Sequence, residues 1–279
     1  MQYFVHLIGL KIRWEEWTRE RSALRNRFNT KFKKKRKPFT IQDIINYALF
    51  YDCTVKNAWN IDLDILVKVM TVELYFFCGT RALELIASNR LGVKKGLSFC
   101  HIKWYDYIQY KKDGKTKKRK HSSYWHFRVI RHKTYKYIGP KDIYLGCTRH
   151  PIVDPAKKLF IYLKRISRKL QCGDLDRVLR FKNGRALSYD YLLKLTKEVV
   201  NINKLQGYYG SHSFRIGLCT ALLIRKAPRT LVAMIGHWSM GVVSCMDIYM
   251  RPQLMQMIRY PYWLMNTKSV LNDIYFPKW

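Results

Sequence analysis

Residues 211–217 read Ser-His-Ser-Phe-Arg-Ile-Gly, and the fold assignment starts from this stretch. Ser211 is a residue type that caps helices, so it predicts a helix to about residue 225. His212 and Arg215 are three positions apart and would share one helix face. Near the helix N-terminus they would lie beside free backbone N–H groups, where an arginine fork suits phosphate recognition. The pattern alone is weak, because a capped surface helix is the simpler explanation of it.

Two further segments accompany this helix. Downstream, residues 236–239 read Gly-His-Trp-Ser, and the helix predicted to follow them carries Tyr249. Upstream, residues 79–85 read Gly-Thr-Arg-Ala-Leu-Glu-Leu. Together the three segments supply basic residues, an acid and a tyrosine.

With these segments the sequence resembles the tyrosine recombinases, the family of lambda integrase and Cre. The family signature is an Arg with Glu three residues on, a β-hairpin Lys, His-x-x-Arg, Gly-His/Trp and a Tyr. All five elements occur here in that order, over about residues 38–250. The resemblance implies a mainly α, α+β catalytic domain with helices around a small antiparallel sheet. It also implies a virus or mobile element as the source.

The resemblance assigns a role to each matching residue. Arg81 and Arg215 would clamp the scissile phosphate, where the transition state gathers negative charge. His212 and His237 would add hydrogen bonds, and His212 would also manage the proton of the nucleophile. Tyr249 would attack the phosphate and form a 3′-phosphotyrosine link, which stores the bond energy for rejoining. No cofactor and no metal are therefore expected.

The family also needs a hairpin lysine that protonates the leaving 5′ oxygen. Lys133 fits, because it follows a strand-like segment and precedes a Gly-Pro turn and another strand. Lys136 and Lys141 are the alternatives. In so basic a chain, a simple phosphate contact also explains any one lysine.

Two residues would support the site without chemistry. Glu84 is either a helix-surface acid or a partner that orients basic groups, and Trp238 is expected to pack beside His237. Four tyrosines lie off the helix after Gly-His-Trp and are expected to be core or DNA-contacting residues: Tyr208, Tyr209, Tyr260 and Tyr262.

The composition indicates the kind of partner. The 279 residues include 53 Lys+Arg and 19 Asp+Glu, a net charge of +34, with 48% hydrophobic residues. That hydrophobic content excludes a disordered polybasic tail, and the charge argues against a neutral metabolic enzyme. Nucleic acid is the first candidate for the partner and an anionic membrane surface the second. The family resemblance implies double-stranded DNA. No stretch approaches the ~20 apolar residues of a membrane span.

Two basic runs are expected to hold the DNA backbone in a salt-sensitive, sequence-independent way. The first, residues 31–37, ends an arm of residues 1–37. Its alternative interpretations are a solvated linker and a nuclear import signal. The second, residues 111–120, is expected to form a loop between two strands, with a turn at its Asp-Gly pair. The DNA-binding residues predicted from the runs are Lys33, Lys34, Lys35, Arg36, Lys37, Lys117, Lys118, Arg119 and Lys120.

The arm is interpreted as a short remnant or replacement of a core-binding domain, and residues 38–279 as the catalytic domain. The tail, residues 252–279, is expected to pack on its own domain or to dock on a neighbouring protomer of a DNA-bound tetramer. His237 and Tyr249 are 12 positions apart, more than is usual in the family. A longer loop, or presentation of Tyr249 to a neighbouring subunit, would absorb the difference.

Local signals predict the remaining elements. Helices are expected after Thr40, over 61–78 with Gly79 as a breaker, from Asp154-Pro155 to about 170, after Ser188 and after Pro228. Strands are expected over 101–110, 122–132 and 142–145.

Seven scattered cysteines without a Cys-x-x-Cys pair predict reduced thiols in an intracellular protein, either nuclear or virion-associated. His121 and His126 lack paired cysteines, so structural zinc is not expected.

Three other functions remain open. They are a type IB topoisomerase, in which Lys is typical where His212 stands, an inactive DNA-binding or packaging protein of the same fold, and a basic ribosomal or RNA-binding protein.

Overall fold

The computed structural model describes residues 36–86, 96–113, 116–130, 140–235, 260–262 and 264–265, with backbone alone for 107–113, 116–122 and Thr230. Its regular elements, in chain order, are α1 (Ile41–Phe50), α2 (Leu63–Cys78), α3 (Ala82–Leu85), β1 (Ile102–Asp113), β2 (Thr116–Val129), β3 (Lys141–Gly146), α4 (Pro155–Lys169), α5 (Tyr189–Ile202), α6 (His212–Ile224) and α7 (Arg229–Ile235). Short 3₁₀ turns occur at Asn57–Trp59 and Phe99–His101. The predicted class is confirmed: mainly α, in the α+β class, with helices around a small antiparallel sheet.

Side-chain caps fix the predicted starts of α1 and α4, whereas Ser211 precedes α6 without a side-chain cap bond. Thr40 Oγ1 accepts the Asp43 N–H at 3.1 Å, and Asp43 Oδ2 accepts the Thr40 N–H at 2.7 Å, which closes a capping box before α1. Asp154 Oδ1 accepts the Lys157 N–H at 3.0 Å at the start of α4. Gly79 ends α2 in the left-handed conformation, with φ of 56°. These local interactions set the boundaries of the elements that carry the site.

Helix α2 lies at the centre of the core. It is buried along almost its entire length and packs against α1, α4 and α6. Glu73 on α2 forms a fully buried ion pair with Lys158 on α4, and Lys158 Nζ also donates to Ile152 O at 2.7 Å. Burial raises the pKa of the Glu73 carboxyl, whereas Lys158 lowers it. The pair ties α4 to α2 through charge as well as apolar contact.

The three strands form one antiparallel sheet in the order β1-β2-β3. Its inner face packs on α4, where the rings of Trp104 and Phe160 are 5.6 Å apart and Trp125 Nε1–H donates to Ala156 O at 2.8 Å. The predicted loop over 111–120 is wrong, because β1 and β2 stay paired one-to-one as far as Asp113 and Thr116. Most of the second basic run is therefore strand backbone.

Gly217 on α6 marks the closest approach between α6 and the segment before α1. A Cβ at this position would lie 2.1 Å from Phe39 O, so no side chain fits without a backbone shift. The ring of Phe39 stacks on Tyr209 with centroids 4.9 Å apart and contacts Phe214 at 4.6 Å. This packing fixes the start of α6 against the core.

Two ends of the chain show different outcomes. Residues 1–35 lie outside the described residues, so the predicted arm stays a prediction. In the tail, Tyr260 and Leu264 are buried in the core, and the Tyr260 hydroxyl donates to Phe77 O. These two residues pack on their own domain, while docking of the tail on a neighbour stays a prediction.

Candidate functional site

Arg81 and Glu84 are fixed to each other at the start of α3. Arg81 is the N-cap residue, and its N–H donates to Glu84 Oε2 at 3.0 Å. The Arg81 guanidinium Nη1 lies 3.7 Å from Glu84 Oε1. The Glu84 side chain is 2% exposed, so Glu84 is a buried partner of basic groups and not a helix-surface acid.

Lys141, the first residue of β3, brings the sheet to the same carboxylate. Its Nζ lies 3.0 Å from Glu84 Oε1, and its side chain is 7% exposed. Burial lowers the pKa of the Lys141 amine, Glu84 raises it, and Arg81 and Arg215 lower it further. The net shift is downward, so the amine loses its proton more readily than an exposed lysine does.

Helix α6 contributes Arg215, which is 6% exposed. Burial lowers the pKa of its guanidinium, Arg81 lowers it further, and Glu84 opposes both. These electrostatic effects arise because Arg215 lies within interaction range of the Arg81–Glu84 pair. The structure therefore brings α3, β3 and α6 together at one place, although their residues are far apart in the sequence.

His212 opens α6 and is half-buried. Burial lowers the pKa of its imidazole below the ordinary 6.5, and the positive charges of Arg36, Arg215 and Arg81 lower it further. The ring is therefore predominantly neutral at pH 7, with a free nitrogen lone pair that can accept a proton. This state suits a residue that manages a proton.

The five residues define an anion site, which we call the cationic cluster: Arg81, Glu84, Lys141, His212 and Arg215. Three cations face one carboxylate, so positive charge remains after the internal ion pairs are counted. Arg81 Nη1 is buried and has no hydrogen-bond partner among the described residues, since its distance to Glu84 exceeds hydrogen-bond length. An oxyanion would satisfy this donor and neutralise the excess charge.

The predicted site residues divide into two groups. Arg81, Glu84, His212 and Arg215 converge in the cationic cluster. Lys141, an alternative for the hairpin lysine, joins them through Glu84. Five other candidates lie outside the described residues: Lys133, Lys136, His237, Trp238 and Tyr249.

Sequence reasoning treated Lys141 only as a possible proton donor and did not foresee its pairing with Glu84. Its position at the first residue of a strand was a weak signal, because strand periodicity does not tell which partner a lysine meets.

The last residues of the first basic run contact Tyr208, and Arg36 acts electrostatically on the cluster. Lys37 N–H donates to Tyr208 O at 2.9 Å, and the Arg36 guanidinium lies 5.7 Å from the centroid of the Tyr208 ring. Arg36 also lowers the pKa of His212. Lys33, Lys34 and Lys35 lie outside the described residues. The end of the arm thus places positive charge beside His212.

The second basic run forms the far part of the β1–β2 hairpin. Register sets Lys111 opposite Lys118 and Lys112 opposite Lys117. The side chains of Lys117, Lys118, Arg119 and Lys120 lie outside the described part of the structure, so their DNA contacts stay a prediction.

The competing tyrosines have contacts of their own. Tyr260 is buried, and Tyr209 stacks on Phe39. Tyr208 and Tyr262 are 44% and 42% exposed, and each ring contacts an arginine, Tyr262 that of Arg149. The two buried or stacked rings are core residues, and the two exposed rings remain candidates for DNA contact.

The described residues contain neither a metal-ligand cluster nor a membrane-spanning helix. Within these ranges, no group of three or more His, Cys, Asp or Glu side chains is placed to hold a metal ion. No helix among them is long and apolar enough to cross a membrane.

Solved structures similar to this chain include two complexes of the XerH site-specific recombinase. One is bound to difH substrate before cleavage, with TM-score 0.43 and 14% identity over 75% of this chain and 49% of that chain. The other is bound to palindromic difH substrate after cleavage, with TM-score 0.43 and 14% identity over 79% and 51%. The chain thus spans about half the length of these proteins. No family model and no curated protein matches.

Removal of the Glu84 carboxylate tests the buried ion pair. Glu84→Gln should lower the free energy of unfolding by about 3 kcal/mol, because it leaves Lys141 buried and uncompensated. The double variant Glu84→Gln/Lys141→Met should recover part of the loss. Denaturant titration measures both. As a control, Lys182→Met breaks a pair with Asp62 whose side chains are 44% and 42% exposed, and stability should hardly change. An equal, small effect of all three variants would contradict the assignment.

The titration of His212 tests the electrostatics of the cluster. In the free protein, its pKa should lie below the ordinary 6.5. Arg36→Ala should raise that pKa, because it removes a positive charge that disfavours the imidazolium ion. NMR titration of labelled histidine measures both values. Arg168→Ala, at an exposed position in the last turn of α4, should have no effect. A wild-type pKa at or above 6.5 would refute the prediction.

Proposed function

We propose that this chain cleaves and rejoins DNA through a 3′-phosphotyrosine intermediate, as a tyrosine-type site-specific recombinase. The observation that carries the proposal is the meeting of Arg81, His212 and Arg215 in one partly buried, net-positive cluster. These residues belong to two separate sequence segments that the family signature links. Coincidental matches to the signature would have no reason to meet in space.

The charge of the cluster supports a phosphoryl-transfer role. The transition state spreads negative charge over the non-bridging phosphate oxygens, and fixed cationic donors stabilise it. Arg81 and Arg215 are such donors, because Glu84 restrains the first and burial restrains the second. The neutral imidazole of His212 can take the proton of the attacking hydroxyl.

The remaining steps rest on the resemblance alone. Tyr249 attacks the scissile phosphate, its hydroxyl proton passes to His212, and a tyrosyl phosphate ester forms. The 5′ oxygen leaves and takes a proton from Lys133, while His237 adds a hydrogen bond to the phosphate. In the reverse direction the freed 5′ hydroxyl of the same or another strand attacks the phosphotyrosine, so rejoining needs no external energy source.

A covalent-adduct assay tests the proposed reaction. Wild-type protein incubated with nicked suicide duplexes, from which the 5′ segment diffuses away, should yield a protein–DNA adduct that survives denaturation. Tyr249→Phe should abolish the adduct but retain DNA binding, because the variant lacks only the nucleophilic oxygen. Tyr262→Phe is the matched control, since its ring is exposed and contacts Arg149, and it should form adduct normally.

The other outcomes separate the alternatives. Tight duplex binding with no adduct from the wild type would favour an inactive DNA-binding or packaging protein. An equal yield of adduct from Tyr249→Phe would refute the assignment of Tyr249 as the nucleophile. Relaxation of supercoils by a monomer, without assembly on paired sites, would favour a topoisomerase. Tetramer assembly and strand exchange would support the recombinase.

A sulfur leaving group distinguishes the two candidate lysines. Replacement of the bridging 5′ oxygen by sulfur makes a leaving group that needs no proton, so it rescues a variant that lacks the general acid. We expect rescue of Lys133→Ala and no rescue of Lys141→Ala, because the Lys141 amine is buried and paired with Glu84. Gel analysis of adduct formation on the oxygen and sulfur substrates measures the rescue. Rescue of Lys141→Ala alone would transfer the role to Lys141.

A further inference from the structure

The outer face of the sheet carries four stacked rings, away from the face that packs on α4. The rings of Tyr105 on β1 and Tyr124 on β2 are 5.4 Å apart and inclined by 20°. Those of His126 on β2 and Tyr144 on β3 are 5.0 Å apart and inclined by 11°. The two pairs join where Tyr124 meets Tyr144 at 6.1 Å. We call this set, Tyr105, Tyr124, His126 and Tyr144, the aromatic face.

Three of the four rings of the aromatic face are accessible. Tyr105 is 39% exposed, and His126 and Tyr144 are partly exposed. Tyr124, at 7%, is the packed centre of the group. His126 Nε2 lies 2.8 Å from Asp142 Oδ1, which fixes the plane of the imidazole ring. The rings therefore form a continuous, oriented surface that reaches solvent.

Two exposed basic residues flank the aromatic face. The register sets Lys103 opposite His126 and Arg128 opposite Asp142, and both basic side chains are exposed. Arg128 also lines a cavity of about 400 Å³ together with Glu84 of the cationic cluster. A polyanion at the cluster could thus continue onto the aromatic face.

We propose that the aromatic face is a stacking site for unpaired bases of single-stranded DNA. Bases stack on exposed aromatic rings without sequence preference, while a basic surface follows the phosphates. The aromatic face supplies the rings, and Lys103 and Arg128 supply the charge. Cross-strand rings also stabilise a sheet. Here, however, the inner face already holds the sheet on α4 through Trp104 and Trp125.

Fluorescence anisotropy with a labelled oligothymidine strand of about ten nucleotides tests the site. The full chain is used in a Tyr249→Phe background, so the measurement does not depend on strand cleavage. Tyr105→Ala and Tyr144→Ala should each weaken single-strand binding at least about fivefold and leave duplex binding unchanged. Tyr105→Phe and Tyr144→Phe should bind like the parent, because the ring remains. Trp59→Ala, which removes another exposed ring (45%), should have no effect.

An abasic strand with the same number of phosphates separates stacking from charge. It should bind the parent protein more weakly than oligothymidine does, and the alanine variants should no longer discriminate between the two strands. Equal binding of both strands by the parent would overturn the proposal. So would alanine variants that bind oligothymidine normally, or that lose single-strand and duplex binding in equal proportion, since the rings would then only support the sheet. These binding measurements do not depend on strand cleavage, so a negative covalent-adduct assay would not change their interpretation.

Discussion

The arrangement of the site depends on one buried carboxylate. Arg81, Lys141 and Arg215 repel one another, and burial makes that repulsion stronger than in water. Glu84 offsets it through direct ion pairs to Arg81 and Lys141. These ion pairs hold the cluster together without a ligand. A single carboxylate cannot balance three cations, so the cluster keeps a net positive charge. The same carboxylate joins α3 to the first residue of β3, so the geometry of the sheet and that of the arginine are coupled.

The backbone register of the sheet also sets basic residues opposite one another. The inner face of the sheet packs on α4 through Trp104 and Trp125. In the far half of the β1–β2 hairpin, the register sets Lys111 opposite Lys118 and Lys112 opposite Lys117. The basic residues of the second run thus lie opposite one another along two paired strands instead of in a loop.

Local chemistry was readable from the sequence, and long-range pairing was not. The caps at Thr40 and Asp154 were predicted correctly, because a cap depends on residues within one turn. The run over 111–120 was predicted as a loop from its charge, but strand pairing overrode that local preference. The burial of Glu84 and its bond to Lys141 joins residues 57 positions apart. Hydrophobic periodicity does not tell which charged side chains meet across such a separation.

The low pKa of His212 follows from the same excess of positive charge, and it bears on when the site would become active. Arg36, Arg81 and Arg215 all disfavour a proton on the imidazole, so the free protein holds a weakly basic ring. A phosphate between Arg81 and Arg215 would offset that field, and the proton affinity of His212 would rise. The base that the proposed reaction requires would thus strengthen only when DNA occupies the cluster. In the proposed reaction, the same cationic excess would thus hold the phosphate and set the proton affinity of the imidazole that receives the proton of the nucleophile.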